Sequence, residues 1–95
     1  MNHEIILQTE YKDLANKLDI IHKCQFRNHC FLRIANDNAV GEKWDNIIKK
    51  PFFLNATKLQ LQKSVDILTS MLTMNMNDLM ILNKNSLVFR NKYKR

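Results

Sequence analysis

Leu7, Tyr11, Leu14, Leu18 and Ile21 follow one another at intervals of four, three, four and three residues, which lays a single apolar stripe along a helix. The spacing predicts a helix over 4–23. Lys12, Asp13, Asn16, Lys17 and Asp19 fall off the stripe and face water, with Asp13 four residues before Lys17 in the favourable order. The stripe is too short for a long coiled coil, so it is expected to pack in the chain's own core. Phe26, Cys30, Phe31 and Ile34 recur at helical spacing and predict a second helix over 25–35. Asn36-Asp37-Asn38 is expected to stop it, because short polar side chains compete with the helical backbone for hydrogen bonds. The link 22–25 holds neither Gly nor Pro, so the pattern fits one long bent helix as well as two.

Val40-Gly41 reads as a turn and 42–50 as a third, short helix with Trp44, Ile47 and Ile48 inward. Lys49 and Lys50 lie in its last turn, where cations suit the negative end of the helix dipole. Pro51 ends it, since the residue before proline is pushed out of helical geometry. Phe52, Phe53 and Leu54 are expected to plug the core from an irregular link. Thr57-x-x-Gln60 is a capping-box pattern, and Leu61, Val65, Leu68 and Leu72 step by four, three and four, so a fourth helix is predicted from there to about residue 73. After a polar break at 75–77, Asn77 or Asp78 would cap a fifth helix over 79–84. Residues 86–90 read equally as extended or as more helix. The expectation is an all-α fold, a compact bundle of four to five short helices with a possible short extended segment near the C-terminus. One domain is expected over 1–90, with Trp44, Phe31, Phe52 and Phe53 near its centre, followed by a flexible basic tail at 91–95.

Composition sharpens this in two places. One Gly and one Pro among 95 residues count against an all-β chain, which needs many tight turns. A net charge of +6 and a pI near 9.6 point to anionic partners. The charge is uneven: between 77 and 95, Lys84, Arg90, Lys92, Lys94 and Arg95 stand against Asp78 alone. No apolar run approaches the roughly 20 residues of a membrane span, and no signal peptide is visible. A cytoplasmic protein with Cys24 and Cys30 reduced is therefore expected. Asn55-Ala56-Thr57 matches a glycosylation acceptor but is better read as helix-start chemistry.

The candidate chemistry is sparse. His22, Cys24, His29 and Cys30 lie within nine residues, yet a structural zinc site draws paired ligands from separate segments and no second pair follows. Thiols packed as small hydrophobes are preferred, and neither a metal nor another cofactor is expected. His29 and Cys30 are adjacent, so on a helix they point apart and do not make an activated nucleophile. Asp37, Glu42 and Asp45 are expected to sit in water around the turn. The single glycine leaves no phosphate loop. An enzyme is not expected. The span 27–50 resembles two helices around a turn, but the link 36–41 is longer than that of a DNA-binding helix-turn-helix.

The leading expectation is a small basic nucleic-acid-associated protein, regulatory in kind. Phosphate contacts are assigned to Arg27, Arg33, Lys43, Asn46, Lys49 and Lys50 on the second and third helices, and to Arg90, Lys92, Tyr93, Lys94 and Arg95 at the end of the chain. Tyr93 adds a ring that can stack on a base. The alternative is an interaction module or inhibitor, of the kind phages and mobile elements encode, that binds an acidic protein surface or forms a homodimer through the apolar faces of its first and fourth helices. Met71, Met74, Met76 and Met80 are expected to fill core rather than to offer a partner surface.

Overall fold

A computed structural model describes residues 3–22 and 26–91. They form five helices: α1 (His3–His22), α2 (Asn28–Val40), α3 (Phe52–Asn55), α4 (Lys58–Met71) and α5 (Met76–Asn91), with one 3₁₀ turn at Trp44–Asn46 between α2 and α3. Among the described residues there is no strand, and the fold is an all-α bundle. α2 is its axis, packing against α1, α4 and α5, while α4 also packs on α1. The core is drawn from the inward rows of these helices: Leu7, Tyr11, Leu14 and Leu18 of α1; Phe31, Ile34 and Ala35 of α2; Leu61, Val65, Leu68 and Met71 of α4; and Leu79 of α5. Phe31 is fully buried and Phe52 nearly so, whereas Trp44 and Phe53 are half-buried and pack on the core's edge.

The stripe of α1 is shorter than its spacing implies. Ile21 is exposed, and the last turn is anchored by His22 instead. Its Nε2 donates to the Met71 carbonyl at 2.7 Å, and its ring lies 5.9 Å from that of Phe31. The carbonyls at the end of a helix have no partner within the helix, so His22 satisfies one of them for α4.

The expected stop at Asn36-Asp37-Asn38 is overturned: α2 continues through all three residues to Val40. Their side chains do not break the helix because each is also engaged by a partner on another element. The Asn36 Oδ1 accepts from the Ser64 hydroxyl at 2.8 Å and from the Tyr11 hydroxyl at 3.1 Å. Asn38 donates to the Leu82 carbonyl at 3.0 Å as well as to Ile34 one turn back. The run therefore ties α2 to α1, α4 and α5. The helix ends at Gly41, which takes the left-handed conformation (φ 84°) and donates its N–H to the Asp37 carbonyl, the ordinary way a glycine closes a helix.

The predicted third helix is also overturned. Residues 42–50 hold one 3₁₀ turn, with Ile48 buried but Ile47 exposed. A helix this short is marginal without tertiary support, and here the Asp37 carboxylate takes the Trp44 N–H at 3.0 Å, fixing a different start. Phe52 and Phe53 begin the short α3 rather than an irregular link, and Leu54 is exposed. The capping box of α4 forms as its sequence implies. Thr57 Oγ1 accepts from Gln60 N, and Gln60 Oε1 accepts from Thr57 N. α5 is capped by Asn75, whose Oδ1 accepts from Asp78 N at 2.9 Å, not by Asn77 or Asp78. It then runs unbroken through 86–90, so the extended alternative is excluded. Of the four clustered methionines at 71–80, Met71 is buried and Met74 packs on the core, but Met76 and Met80 are exposed. Residues 92–95 and Cys24 lie outside the described residues.

Candidate nucleic-acid interface

The polar centre of the molecule is Asp37. Burial of a carboxylate is costly unless donors surround it, and four do. Its Oδ2 accepts from the Ser86 hydroxyl at 2.6 Å and from Arg90 Nε at 2.8 Å, and its Oδ1 from Trp44 N at 3.0 Å and Arg90 Nη2 at 3.3 Å. Ser86 in turn accepts from Arg33 Nη1, and Arg33 Nη2 donates to Asn83 Oδ1, both at 2.8 Å. Asn83, Ser86 and Arg90 stand at i, i+3 and i+7 on α5, so one face of that helix brings all three to α2. Asp45 lies nearby, within 4.0 Å of Arg90, 3.9 Å of Lys43 and 3.8 Å of Lys50. Its Oδ1 is buried without a hydrogen bond among the described residues. The expectation that Asp37 and Asp45 sit in water is corrected by this geometry.

Beside this network lies an open cleft of about 370 Å³, at the lower end of the usual size for ligand sites. Its aromatic side is built by Tyr11 of α1, Trp44 of the 3₁₀ turn, and Phe52 and Phe53 of α3. The Tyr11 and Phe52 rings stack at 5.7 Å between centroids, and Trp44 meets Phe52 edge-on at 5.4 Å. Lys12 Nζ sits 4.1 Å above the Phe53 ring, a cation–π distance. Leu32 and Pro51 complete the apolar lining, and the charged or ionisable members are His29, Arg33, Lys50 and the phenol of Tyr11. Among the described residues no carboxylate lines the cleft, although Asp45 stands 3.8 Å from Lys50 at its edge. Burial pushes Tyr11 up to about 12, opposed by its hydrogen bond to Asn36, so the wall stays neutral. Burial, and next the nearby Arg90, lower the Arg33 guanidinium from the ordinary arginine range. Its hydrogen bonds to Ser86 and Asn83 go to neutral oxygens, while Cys30 and Asp37 act in the opposite direction to burial and Arg90.

The cations assigned to phosphates divide into three groups. Arg33 and Lys50 meet at the cleft. Arg27 pairs with Asp19 at 3.1 Å, and Arg90 is turned inward onto Asp37, so both are engaged within the fold. Lys43 sits against Asp45, while Asn46 and Lys49 are exposed on the same link as Lys50. Lys92, Tyr93, Lys94 and Arg95 lie outside the described residues. The linear reading assigned no binding role to Tyr11, Lys12, His29, Trp44 or Phe53. The aromatic residues were visible but read as core, and only the fold shows that they border a cleft. The described residues hold no group of three or more His, Cys, Asp and Glu arranged for a metal ion. No helix among them is long and apolar enough to cross a membrane.

Fold and site together define a small basic all-α protein with an aromatic cleft edged by cations. No family model, curated protein or solved structure matches the chain.

Proposed function

We propose that this protein associates with nucleic acid, contacting phosphates through Arg33 and Lys50 at the cleft, Lys12 over the Phe53 ring, and Lys43, Asn46 and Lys49 on the adjoining link. The observation that carries the reading is that Arg33 of α2 and Lys50 of the link line one aromatic cleft with no acidic residue among its described lining, and that Lys12 of α1 sits over the ring of its Phe53. Phosphate binding of this kind is driven by counterion release and is strongly salt-dependent. The cations of the C-terminal residues, Lys92, Lys94 and Arg95, add sequence-independent attraction. Fluorescence-anisotropy titrations of short DNA and RNA, single- and double-stranded, at several salt concentrations test it. The expected slope of log affinity against log salt on a single strand is about −2 to −3, corresponding to three or four phosphates. Affinity no greater than that of an unrelated basic protein of equal charge removes the reading.

A second reading, a module that binds a protein partner, is supported by a separate observation. α5 exposes Met76, Met80, Ile81, Leu87 and Val88, and exposed apolar side chains gathered on one helix are of the sort that mark interaction surfaces. Recovery of a protein partner that survives nuclease treatment and is lost from a Leu87→Lys variant favours it.

A further inference from the structure

Resting on the nucleic-acid reading, we infer that the cleft is the seat of one unpaired nucleobase of a single strand, with the phosphates on either side of that base held by Lys50 and Arg33. The walls supply the apolar and π surface that a base needs. Trp44 and Phe53 are half-buried, so each keeps part of its ring open to the cleft while Phe52 and Tyr11 support them from behind. Every base has a π face, and stacking on aromatic side chains is tolerant of sequence. Cations border this surface: Arg33 and Lys50 are among its lining, and Lys12 lies over the ring of Phe53.

A nucleotide suits this arrangement because it carries a flat ring and an anion in one unit, repeated along the strand. The exposed Lys49 continues the cationic track along the link for the neighbouring phosphates. A base inside a duplex is stacked on both faces and cannot enter, so the cleft selects single strands or flipped-out bases. An acidic peptide carries its ring and its carboxylate on different residues and meets the cleft with no such fixed spacing.

Trp44 is the only tryptophan, so its emission reports on the cleft directly. The intact protein is titrated with a short oligothymidylate, with oligouridylate, and with an abasic strand of the same length that keeps the phosphates and lacks the bases. The base-bearing strands are expected to quench Trp44 saturably and to bind roughly five- to hundredfold tighter than the abasic strand. Phe53→Leu brings the base-bearing strands down toward the abasic affinity. Lys50→Gln, an exposed position, weakens all three strands alike. Equal affinity for abasic and base-bearing strands, without quenching, overturns the inference while leaving phosphate binding in place. Quenching by a short peptide of alternating glutamate and phenylalanine, with none by any strand, overturns it in favour of a protein ligand. If no strand binds at all, the nucleic-acid reading fails and the inference goes with it. Circular dichroism on both variants checks that the helices are kept.

Discussion

Asp37 has no exposed surface, yet it keeps four hydrogen-bond donors around it, two of them from one guanidinium. Removing one partner of such a pair strands the other without water, which typically costs about 3–5 kcal/mol. Arg90→Ala strands the fully buried Asp37 and is therefore expected to destabilise the protein by about that amount in urea unfolding, and Asp37→Ala by less through this effect, because the Arg90 it strands is partly exposed and keeps Asp45 within 4.0 Å. A double-mutant cycle should show strong coupling between the two. Tyr11 gives a second prediction. Its folded pKa of about 12 lies above the ordinary tyrosine value of 10.0, so below pH 10 both states are protonated and the contribution to stability is complete. As pH rises from 10 toward 12 the unfolded chain releases a proton that the folded chain keeps, and stability falls. The loss approaches roughly 2–3 kcal/mol at the upper end. In a Tyr93→Phe background, phenolate absorbance then follows Tyr11 alone, and its midpoint should lie well above that of free tyrosine. Tyr11→Phe should flatten the alkaline fall in stability.

Among the elements, α1 and α4 were legible because each buries a regular row of apolar side chains, and α4 also carries its start signal in Thr57 and Gln60. Thr57→Ala should cost about 1 kcal/mol through the lost cap. Gly41→Ala should cost about 1–2 kcal/mol for the left-handed backbone alone, since no atom lies within 4 Å of the added methyl. Thermal unfolding of the two variants checks both values. The end of α2 was not legible, because what rescues Asn36, Asp37 and Asn38 from their usual role is a set of partners on α1, α4 and α5 that lie far along the chain. The fifth helix was legible over 79–84, but its continuation through 86–90 was not, for the opposite reason. It buries polar Asn83 and Ser86 and exposes Leu87 and Val88, inverting the pattern by which an amphipathic helix is recognised. The cleft shares that fate: its lining is assembled from α1, α2, the 3₁₀ turn and α3, and no single stretch of sequence contains it. Arg33 and Lys50 were picked out by charge alone, and the fold brings them to one place.

At the scale of the whole molecule the bundle is a thin slab, 40 × 32 × 16 Å between its outermost Cα atoms, with α5 held chiefly through α2. A slab has much surface for its volume, and the exposed apolar side chains of α5 are part of that surface. Leu87→Lys and Val88→Lys should leave the unfolding midpoint nearly unchanged, within the roughly 0.5 kcal/mol typical of exposed positions, and any self-association seen by analytical ultracentrifugation should decline. The carboxylate that fastens α5 also fixes the Trp44 N–H, and this has an effect at a distance. Loosening the far end of the chain, by an alanine at Arg90 or a cut ahead of Ser86, should let the indole swing outward and shift its emission to the red. A residue that never borders the aromatic hollow would thereby govern how wide its doorway stands.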